Sequence, residues 1–386
     1  MVIIALDKQN KVFYFKNFLF IFGMCIWQTY NVLFLTNFPT MHTVELNFIR
    51  TFSLIILVAS SLFGINLKKF NIMHFLFACI ILFFLFNNWY IAQQSSWFDL
   101  LIIIVAGVNI DFDYFLKRFL IFSIFIYGGI TILAILNVIH DNVVIIGLAR
   151  SRHTLGFSWP SFLAHEIVTI TASMIWLYKE KLNYLVIVLL FVVNYFVYVK
   201  TDTKLPYIVV TFALFMTLVL KKIKFGKLIE GFIYKIIPLL PLGFTLLIYY
   251  LSVNAQNYPK LDNLFSQRLT LGNSALIEYP IKEFGQPIIV TMQKTIVQKY
   301  FTIDSSYLRY LLCFGLISTI LILIIMFCSF RKILKKQNLF IALVLFIILI
   351  DGFSDPWLFN AGYTPFIILL SNTFFNNTED VSSKLE

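Results

Sequence analysis

Three residues that could bind an anion or move a proton lie together at Arg150, Arg152 and His153. Guanidinium groups suit phosphate oxygens, which they can contact through two parallel hydrogen bonds. An imidazole titrates near neutral pH, so His153 could act as a general base or donate to a phosphate. Because a lone loop histidine is more often a polar surface residue, the cluster predicts anion binding before it predicts a base.

Further cations lie in two later connections. Lys200 and Lys204 flank a Thr-Asp-Thr segment, and Arg268 lies in a long polar stretch. The charge pattern described below places these connections outside the membrane, where cations are disfavoured, so their retention favours an anionic ligand. The alternative is that long loops cross the membrane whatever their charge, and that a surface arginine is commonplace.

Acidic and imidazole groups close to predicted spans are the remaining candidates. Asp351 and Asp355 are four residues apart and could share acid and base roles, or they could be solvated residues at an interface marked by Trp357. His165 and Glu166 lie in the first turn of a predicted span. Ionisable groups at membrane depth are usually functional, although this pair is close enough to the interface to be solvated instead.

The composition of the chain requires a membrane. Of its 386 residues, 60% are apolar and 13% are charged, against about 25% charged in soluble domains. A span needs roughly 20 apolar-rich residues. The apolar content therefore predicts an all-α, polytopic integral membrane protein with about twelve transmembrane helices.

Apolar runs give the expected spans, and long continuous runs favour helices over the alternating strands of a barrel. The runs lie near residues 17–35, 48–65, 74–91, 99–110, 119–139, 162–178, 183–199, 206–220, 232–252, 307–330, 338–350 and 357–371.

Basic residues are distributed unequally between the two sides of these spans. Lysine or arginine precedes the first span and follows the second, fourth, sixth, eighth and tenth, whereas the short connections after the first, third and eleventh spans have neither. The positive-inside rule then places both termini in the cytoplasm and predicts a multi-pass protein of the cytoplasmic membrane. The net charge of +11 therefore reports topology, and we expect no nucleic-acid partner.

One external connection is much longer than the others. Residues 253–305 begin with a polar stretch but contain too many aromatic and aliphatic residues for disorder. We expect a single membrane domain over residues 1–386, with a small external subdomain of one or two helices at 253–305 between spans nine and ten.

Several common chemistries lack their sequence signals. The chain has no Walker-type loop, HExxH, paired CxxC or GxSxG, which argues against an ATP-driven pump, a zinc protease and a standard serine hydrolase. The four cysteines lie in apolar runs without metal-ligand spacing. We therefore expect no cofactor and no metal site.

Four segments in order resemble Wzy-type polysaccharide polymerases of bacterial capsule, exopolysaccharide and O-antigen synthesis. Residues 150–160, RSRHTLGFSWP, are similar to their R-x-R-x-x-L-G-F-x-H-P-N segment, although Trp159 stands where many relatives have His. The other three are LFSQRL at 264–269 with later Tyr-Pro and Phe-Gly pairs, DSSYLR at 304–309, and Asp355-Pro-Trp with Asn360. The R-x(10)-G pattern of some polymerases is absent at Arg150 and Arg268.

The resemblance implies a glycosyltransferase reaction on the outer face of the cytoplasmic membrane, in which oligosaccharide repeat units linked to polyprenyl pyrophosphate are joined. Electrostatic stabilisation of the leaving pyrophosphate needs no metal. The partners it implies are the lipid-linked oligosaccharide and membrane lipid, with a chain-length regulator and a flippase as candidates. On this basis the expected catalytic residues are Arg150, Arg152 and Arg268 for pyrophosphate and His153 or a nearby carboxylate as base, and the expected substrate-binding residues are Lys200, Lys204, Tyr258, Tyr279, Tyr307, Arg309 and Asp355.

Two alternatives stay open. An O-antigen-ligase-like transferase shares the fold type and the donor but makes no ladder of chain lengths. A transporter or flippase of lipid-linked oligosaccharide predicts polar residues scattered at mid-span and repeats in the two halves of the chain, whereas the unexplained charges here concentrate in outer connections.

Overall fold

The computed structural model describes residues 2–38, 43–63, 86, 90–91, 96–146, 150–290 and 301–373. These residues form thirteen α-helices and one two-stranded sheet. Eight helical segments are long and apolar enough to cross a membrane. The chain is therefore a multi-pass, predominantly α-helical membrane protein, as its composition predicts.

The helices and strands of the described residues follow one another in this order: α1 (Val2–Leu35), α2 (Thr43–Leu62), α3 (Ser96–Ala106), α4 (Phe112–Ile135), β1 (Val143–Ile146), β2 (Arg150–His153), α5 (Ser161–Tyr178), α6 (Tyr184–Thr201), α7 (Lys204–Lys222), α8 (Lys227–Ile236), α9 (Leu240–Val253), α10 (Pro259–Leu264), α11 (Arg268–Glu278), α12 (Ser306–Leu334) and α13 (Leu339–Asp351). Short 3₁₀-helices lie at Lys179–Lys181, Ile237–Leu239, Ala255–Asn257 and Pro365–Thr373.

Polar residues in front of apolar runs determine where two of these helices begin. The Asn183 side chain accepts the Leu185 amide at 2.9 Å at the start of α6. At the start of α13, the Asn338 side chain accepts the amides of Phe340 and Ile341. Each side chain satisfies donors that have no partner within the first turn of the helix.

The hairpin β1–β2 lies between α4 and α5 in the chain and connects them at one end of the bundle. Its two strands are antiparallel, with Val143 opposite His153. Asn37, just after α1, binds the two ends of the hairpin segment: its side-chain amide donates to the carbonyl oxygens of His140 and Phe157 at 3.2 and 2.6 Å. The hairpin and an isolated bridge between Thr36 and Phe157 are the β-structure among the described residues.

We call this end of the bundle the site end, and it comprises the described parts of segments 136–160, 202–203, 254–305 and 352–364. At the opposite end, the Lys16 ammonium donates to the Val108 carbonyl, and the Ser371 hydroxyl donates to the Gly107 carbonyl at 3.1 Å. The early part of α1 and the last described residues therefore lie at the same end. That arrangement suits an even number of crossings, while the cytoplasmic placement of both termini stays a prediction.

The helix α12 is broken at Gly315, where φ is 84° and ψ is 172°. Part of the long loop fills the break: the Leu316 amide donates to the Lys282 carbonyl at 2.9 Å, and the Gln286 amide donates to the Cys313 carbonyl at 3.1 Å. A Cβ at Gly315 would lie 2.3 Å from the Gly285 nitrogen. The loop can approach α12 this closely because both Gly285 and Gly315 lack a side chain.

The loop predicted as a subdomain at 253–305 contains two short helices among its described residues, α10 and α11. The Asp262 carboxylate in α10 accepts the amides of Leu269 and Thr270 at 2.9 and 3.2 Å. It thus caps α11, whose preceding residue, Gln267, has a left-handed backbone with φ of 65°. The location of the loop outside the membrane stays a prediction.

Four of the twelve predicted spans differ from the structure or lie beyond it. Most of 74–91 lies outside the described residues. The span predicted at 99–110 is the eleven-residue α3 and that at 338–350 is the thirteen-residue α13, each about 16–20 Å long at 1.5 Å per residue. Residues 357–371 form turns and a nine-residue 3₁₀-helix instead of a span, because Pro356, Gly362 and Pro365 interrupt the helix. A count of twelve spans is not confirmed.

Candidate active site

A histidine and two aspartates form a buried group just below the site end. His165 is the fifth residue of α5, Asp351 ends α13, and Asp355 follows four residues later. The His165 Nδ1 atom is 2.8 Å from Asp351 Oδ1, and Nε2 is 4.0 Å from Asp355 Oδ1. The three residues are 1%, 7% and 3% exposed. The imidazole therefore lies between two carboxylates in a site without bulk water, which we call the buried triad.

The long loop delivers a guanidinium to this group. Arg268, at the start of α11, lies with Nε 3.2 Å from Asp304 Oδ2, and its Nη1 atom donates to the Ser354 carbonyl. Since Ser354 immediately precedes Asp355, the contact fixes the loop beside the triad. Arg268 is also close enough to act electrostatically on the Asp355 carboxylate.

The first turn of α12 holds the segment that carries Asp355. The Ser306 hydroxyl donates to the Asp355 carbonyl and accepts the Leu358 amide at 3.0 Å. The Tyr307 hydroxyl donates to the Leu349 carbonyl at 2.8 Å. These bonds satisfy groups that the end of α13 leaves without partners, so the backbone around Asp355 is fixed by side chains from α12.

Asp355 lies outside the helical spans, and its environment changes its acidity. Burial raises the pKa of its carboxyl to about 7, and the Asp351 carboxylate adds to the rise, whereas His165, the Trp357 amide and Arg268 oppose it. A carboxyl that titrates near neutral pH can both accept and release a proton under working conditions. Asp355 is therefore the strongest general-base candidate among the carboxylates that sequence reasoning considered.

Glu166 is completely buried next to the triad. Neither of its carboxylate oxygens has a hydrogen-bond partner among the described residues, although the hydroxyls of Ser123 and Tyr127 lie close by. The Ser123 hydroxyl accepts from the Gln28 side chain at 2.5 Å. A lone buried carboxylate is costly as an anion, so this position favours a bound proton.

The hairpin forms a second polar group. The Arg152 Nε atom donates to the Thr201 carbonyl at 2.8 Å, and its Nη2 atom donates to the Thr203 hydroxyl at 2.9 Å. Arg152 is buried and thus joins β2 to the end of α6. The exposed Lys200 and Lys204 lie on either side of these threonines.

His153 has an aspartate partner that sequence reasoning missed. Its Nδ1 atom is 2.7 Å from Asp141 Oδ2, and its side chain is 36% exposed. Asp141 also accepts the Leu155 amide at 2.7 Å through Oδ1. The hairpin explains this pair: His153 lies opposite Val143, and Asp141, two residues before Val143, is its diagonal neighbour across the two strands.

The predicted residues therefore separate into two groups. Arg268, Tyr307, Arg309 and Asp355 converge around the buried triad, whereas Arg152, His153, Lys200 and Lys204 lie around the hairpin. The backbone of Arg150 lies on β2, and its side chain is not among those described. Tyr258 and Tyr279 lie on the flank of the long loop, where Tyr258 meets the Tyr250 hydroxyl at 3.2 Å and Tyr279 meets the Phe301 ring at 5.6 Å.

The ligand spacing of the buried triad could also suit a divalent cation, because its three ligand atoms lie within 4.8 Å of one another. One imidazole nitrogen, however, already pairs with Asp351, and the Arg268 guanidinium acts on Asp355. A proton shared among the imidazole and the carboxylates satisfies this geometry without a second cation beside the guanidinium.

A cavity of about 190 Å³ adjoins the triad, and Ser306, Arg309, Pro356 and Trp357 are among the residues that line it. The guanidinium of Arg309 lies over the Trp357 ring, 5.4 Å from its centroid. The Trp357 amide in turn donates to Asp355 Oδ2 at 3.2 Å. Pro356 and Trp357, which directly follow Asp355 in the chain, thus connect the cavity lining to the triad.

Comparison of the chain with protein families, curated proteins and solved structures finds no match. The resemblance to polysaccharide polymerases therefore stays a prediction.

Proposed function

We propose that this chain is a polysaccharide polymerase, a glycosyltransferase that joins oligosaccharide repeat units linked to polyprenyl pyrophosphate on the outer face of the cytoplasmic membrane. One observation carries the proposal. Three of the four segments that resemble polymerases, at 264–269, 304–309 and 355–360, meet in space although about 90 residues separate the first from the last. Their contacts are Arg268 with Asp304, Ser306 with Asp355, and Arg309 with Trp357.

The chemistry of this group suits transfer from a diphosphate donor. The acceptor hydroxyl attacks the anomeric carbon of the donor sugar, the bond from that carbon to the diphosphate oxygen breaks, and its electron pair leaves with the diphosphate. The hydroxyl proton passes to the Asp355 carboxylate. A base whose pKa lies near working pH gives the largest benefit in such a step.

Two arginines supply positive charge to the leaving group. Arg268 is already held by Asp304 and the Ser354 carbonyl, so it is a fixed charge that needs no reorganisation during the reaction. Arg309 is half-buried at the adjoining cavity. Preorganised charges of this kind stabilise the leaving diphosphate without a metal ion, in keeping with a reaction that needs no cofactor.

His165, held by Asp351, lies next to Asp355 and acts on it through charge, since Nε2 and Oδ1 are 4.0 Å apart. The hydrogen bond to Asp351 fixes the ring so that Nε2 faces Asp355. A carboxylate that holds an imidazole in one orientation also stabilises its charged form. His153 with Asp141 is the second candidate for the base, because the same pairing leaves its Nε2 atom directed away from Asp141.

The proposal is tested by the length distribution of lipid-linked glycan in cells that lack the protein and are complemented with variants. Wild type should restore a ladder, whereas Asp355→Asn and Arg268→Gln should leave single repeat units on the outer leaflet at unchanged protein level. Glu180→Gln, at an exposed carboxylate, is the matched control and should restore the ladder. A normal ladder with Asp355→Asn excludes the mechanism, and a single addition without any ladder indicates a ligase-like transferase.

A flippase of lipid-linked oligosaccharide is the second candidate, and Glu166 favours it. Its carboxylate is fully buried below the site end, beside the hydroxyls of Ser123 and Tyr127 and with no cation paired to it among the described residues, a setting typical of proton-coupled membrane transport. The same cells distinguish the two functions. If deletion leaves repeat units on the cytoplasmic leaflet, and Glu166→Gln reproduces that state, the protein moves the lipid carrier and does not polymerise it.

A further inference from the structure

The cavity beside the buried triad has walls that suit an amphiphilic ligand. It lies between α1, α2, α3, the start of α12 and the segment 356–361. Its lining combines polar side chains with aromatic ones, and the aromatic residues include Trp27, Tyr30, Tyr310, Trp357 and Phe359. Apolar pockets with a few convergent polar groups are typical ligand sites.

The charged residues of the cavity leave one guanidinium in excess. Arg50 and Asp99 neutralise each other through two parallel hydrogen bonds, from Nε at 2.9 Å and from Nη2 at 2.8 Å. Arg309 has no such partner: within the described part of the chain, its guanidinium contacts the face of Trp357 and no hydrogen-bond acceptor or carboxylate. The cavity therefore carries a net positive charge.

Arg309 differs in this respect from Arg152 at the hairpin and from Arg268 beside the buried triad. Arg152 donates to Thr201 and Thr203, and Arg268 donates to Ser354 and pairs with Asp304. A guanidinium that already has acceptors must give them up to hold a phosphate, whereas Arg309 can bind one at once. The Arg309 side chain is thus better placed for an anion than Arg152 and Arg268, two of the three arginines that the sequence favoured.

Two residues of the cavity lining carry buried indole donors. The indole N–H groups of Trp27 and Trp357 have no acceptor among the described residues. A buried N–H without an acceptor is unfavourable, but both nitrogen atoms are inaccessible from the cavity, so an anion reaches them only if the indoles turn. Trp27 belongs to α1 and Trp357 to the segment after α13, so the cavity lies where two distant parts of the chain meet.

We propose that this cavity binds the diphosphate group and the first isoprene units of an isoprenoid diphosphate, with Arg309 as the anion contact and the aromatic walls around the chain. The identity of the lipid carrier rests on the proposed function, whereas the anion site rests on the geometry of Arg309. Because Asp355 immediately precedes two residues that line the cavity, Pro356 and Trp357, a diphosphate here would leave beside the proton acceptor.

The test is calorimetric titration of the purified full-length protein in detergent with three probes: farnesyl pyrophosphate, inorganic pyrophosphate and farnesol. We expect farnesyl pyrophosphate to bind at least 10-fold more tightly than inorganic pyrophosphate, and farnesol not to bind. Arg309→Gln should weaken farnesyl pyrophosphate at least 30-fold, and Trp357→Leu should remove most of the advantage of the isoprenoid over inorganic pyrophosphate.

Arg118→Gln is the matched control, because Arg118 also lies over an aromatic ring, that of Tyr114 at 5.3 Å, but is exposed on α4 away from the site end. Unchanged binding by Arg309→Gln, or an equal loss with Arg118→Gln, overturns the inference. The two proposals fail separately. If binding depends on Arg309 but the protein forms no ladder, the anion site is supported and the polymerase function is excluded. If the protein forms a ladder but binding does not depend on Arg309, the polymerase function is supported and the anion site is excluded.

Discussion

Two histidine–aspartate pairs of nearly equal length lie in different surroundings in this protein. His153 and Asp141 are 2.7 Å apart, twelve residues apart in sequence and partly exposed on a hairpin. His165 and Asp351 are 2.8 Å apart, 186 residues apart in sequence and buried between α5 and α13. The hydrogen bond is the same, but the second pair lies between a further carboxylate and a guanidinium in a site without bulk water.

The difference in burial determines what each pair can do. Around the exposed pair, water screens the charges, and such a pair contributes about 0–1 kcal/mol to stability. Around the buried pair the local dielectric is low, so each charge acts strongly on its neighbours. Asp355 reports this effect directly, since burial raises the pKa of its carboxyl to about 7.

Removal of the buried imidazole should have the largest effect. His165→Leu leaves two carboxylates facing each other without a cation between them, and loss of one member of a buried pair costs about 3–5 kcal/mol. We expect a lower thermal unfolding midpoint in detergent and no glycan ladder. His153→Leu breaks a pair of the same type at the surface and should lower the midpoint by no more than a few degrees. Equal shifts for the two variants would contradict the assigned difference in burial.

Substitution of Asp355 should have the next largest effect on activity. Asp355→Asn keeps the size and polarity of the side chain but removes the proton acceptor, so polymer synthesis in isolated membranes should fall about 100-fold or more. For wild type, activity requires the deprotonated carboxylate. Wild-type activity should therefore rise as the pH increases through about 7. The residual activity of Asp355→Asn should not show this rise. His165, Asp351 and Arg268 surround this carboxyl, and a wild-type profile that is flat across pH 7 would exclude it as the base.

The raised pKa has a matching effect on stability. The folded carboxyl keeps its proton up to about pH 7, whereas an unfolded aspartate releases its proton at the usual pKa of about 3.9. The folded state thus binds more protons between these limits, so the contribution of Asp355 to stability is greatest below about pH 4 and is lost as pH rises through 7. Asp355→Asn should flatten the dependence of the unfolding midpoint on pH in that window.

Arg268 should produce a smaller effect on rate, because its role is divided between charge and position. Arg268→Gln removes the pair with Asp304 and weakens the contact with the Ser354 carbonyl, and we expect a loss of about 10–100-fold in polymer yield. Arg268→Lys keeps the charge without the planar fork and should recover only part of the activity. Full activity of the glutamine variant would show that the loop needs no cation at this position.

The sequence predicts the membrane fold well where apolar residues face lipid and less well where they face protein. The spans predicted at 183–199 and 206–220 agree with α6 and α7 to within two residues at each end. The span predicted at 357–371 is wrong because residues 361–371 are apolar for another reason: they are buried inside the bundle. Hydropathy measures transfer from water and does not distinguish lipid from a protein interior.

The same limit applies to the site. The sequence indicates Arg268, Asp355 and His165 as ionisable residues near span ends, but not that α5 and α13 bring His165 and Asp351 together, since that contact depends on helix packing across 186 positions. The sequence predicted no role for Arg50, and the structure pairs it with Asp99. The pair of Asp141 and His153 is local, but neither VVII nor RSRH shows the alternation of a half-buried strand, so the sequence carries no clear signal for the hairpin that joins them.

The local pair also gives the smallest expected effect, and it decides between the two candidate bases. If Asp355 is the base, His153→Ala should change polymer yield less than about threefold, as expected for an exposed residue outside the chemistry. If His153 is the base instead, His153→Ala and Asp141→Asn should each reduce yield about 100-fold or more, because the aspartate fixes the ring and stabilises its charge. Asp141 also accepts the Leu155 amide, so Asp141→Asn alone could disturb the hairpin. A loss in Asp141→Asn that is absent from His153→Ala therefore indicates a structural role for Asp141 and leaves the buried triad as the source of the base.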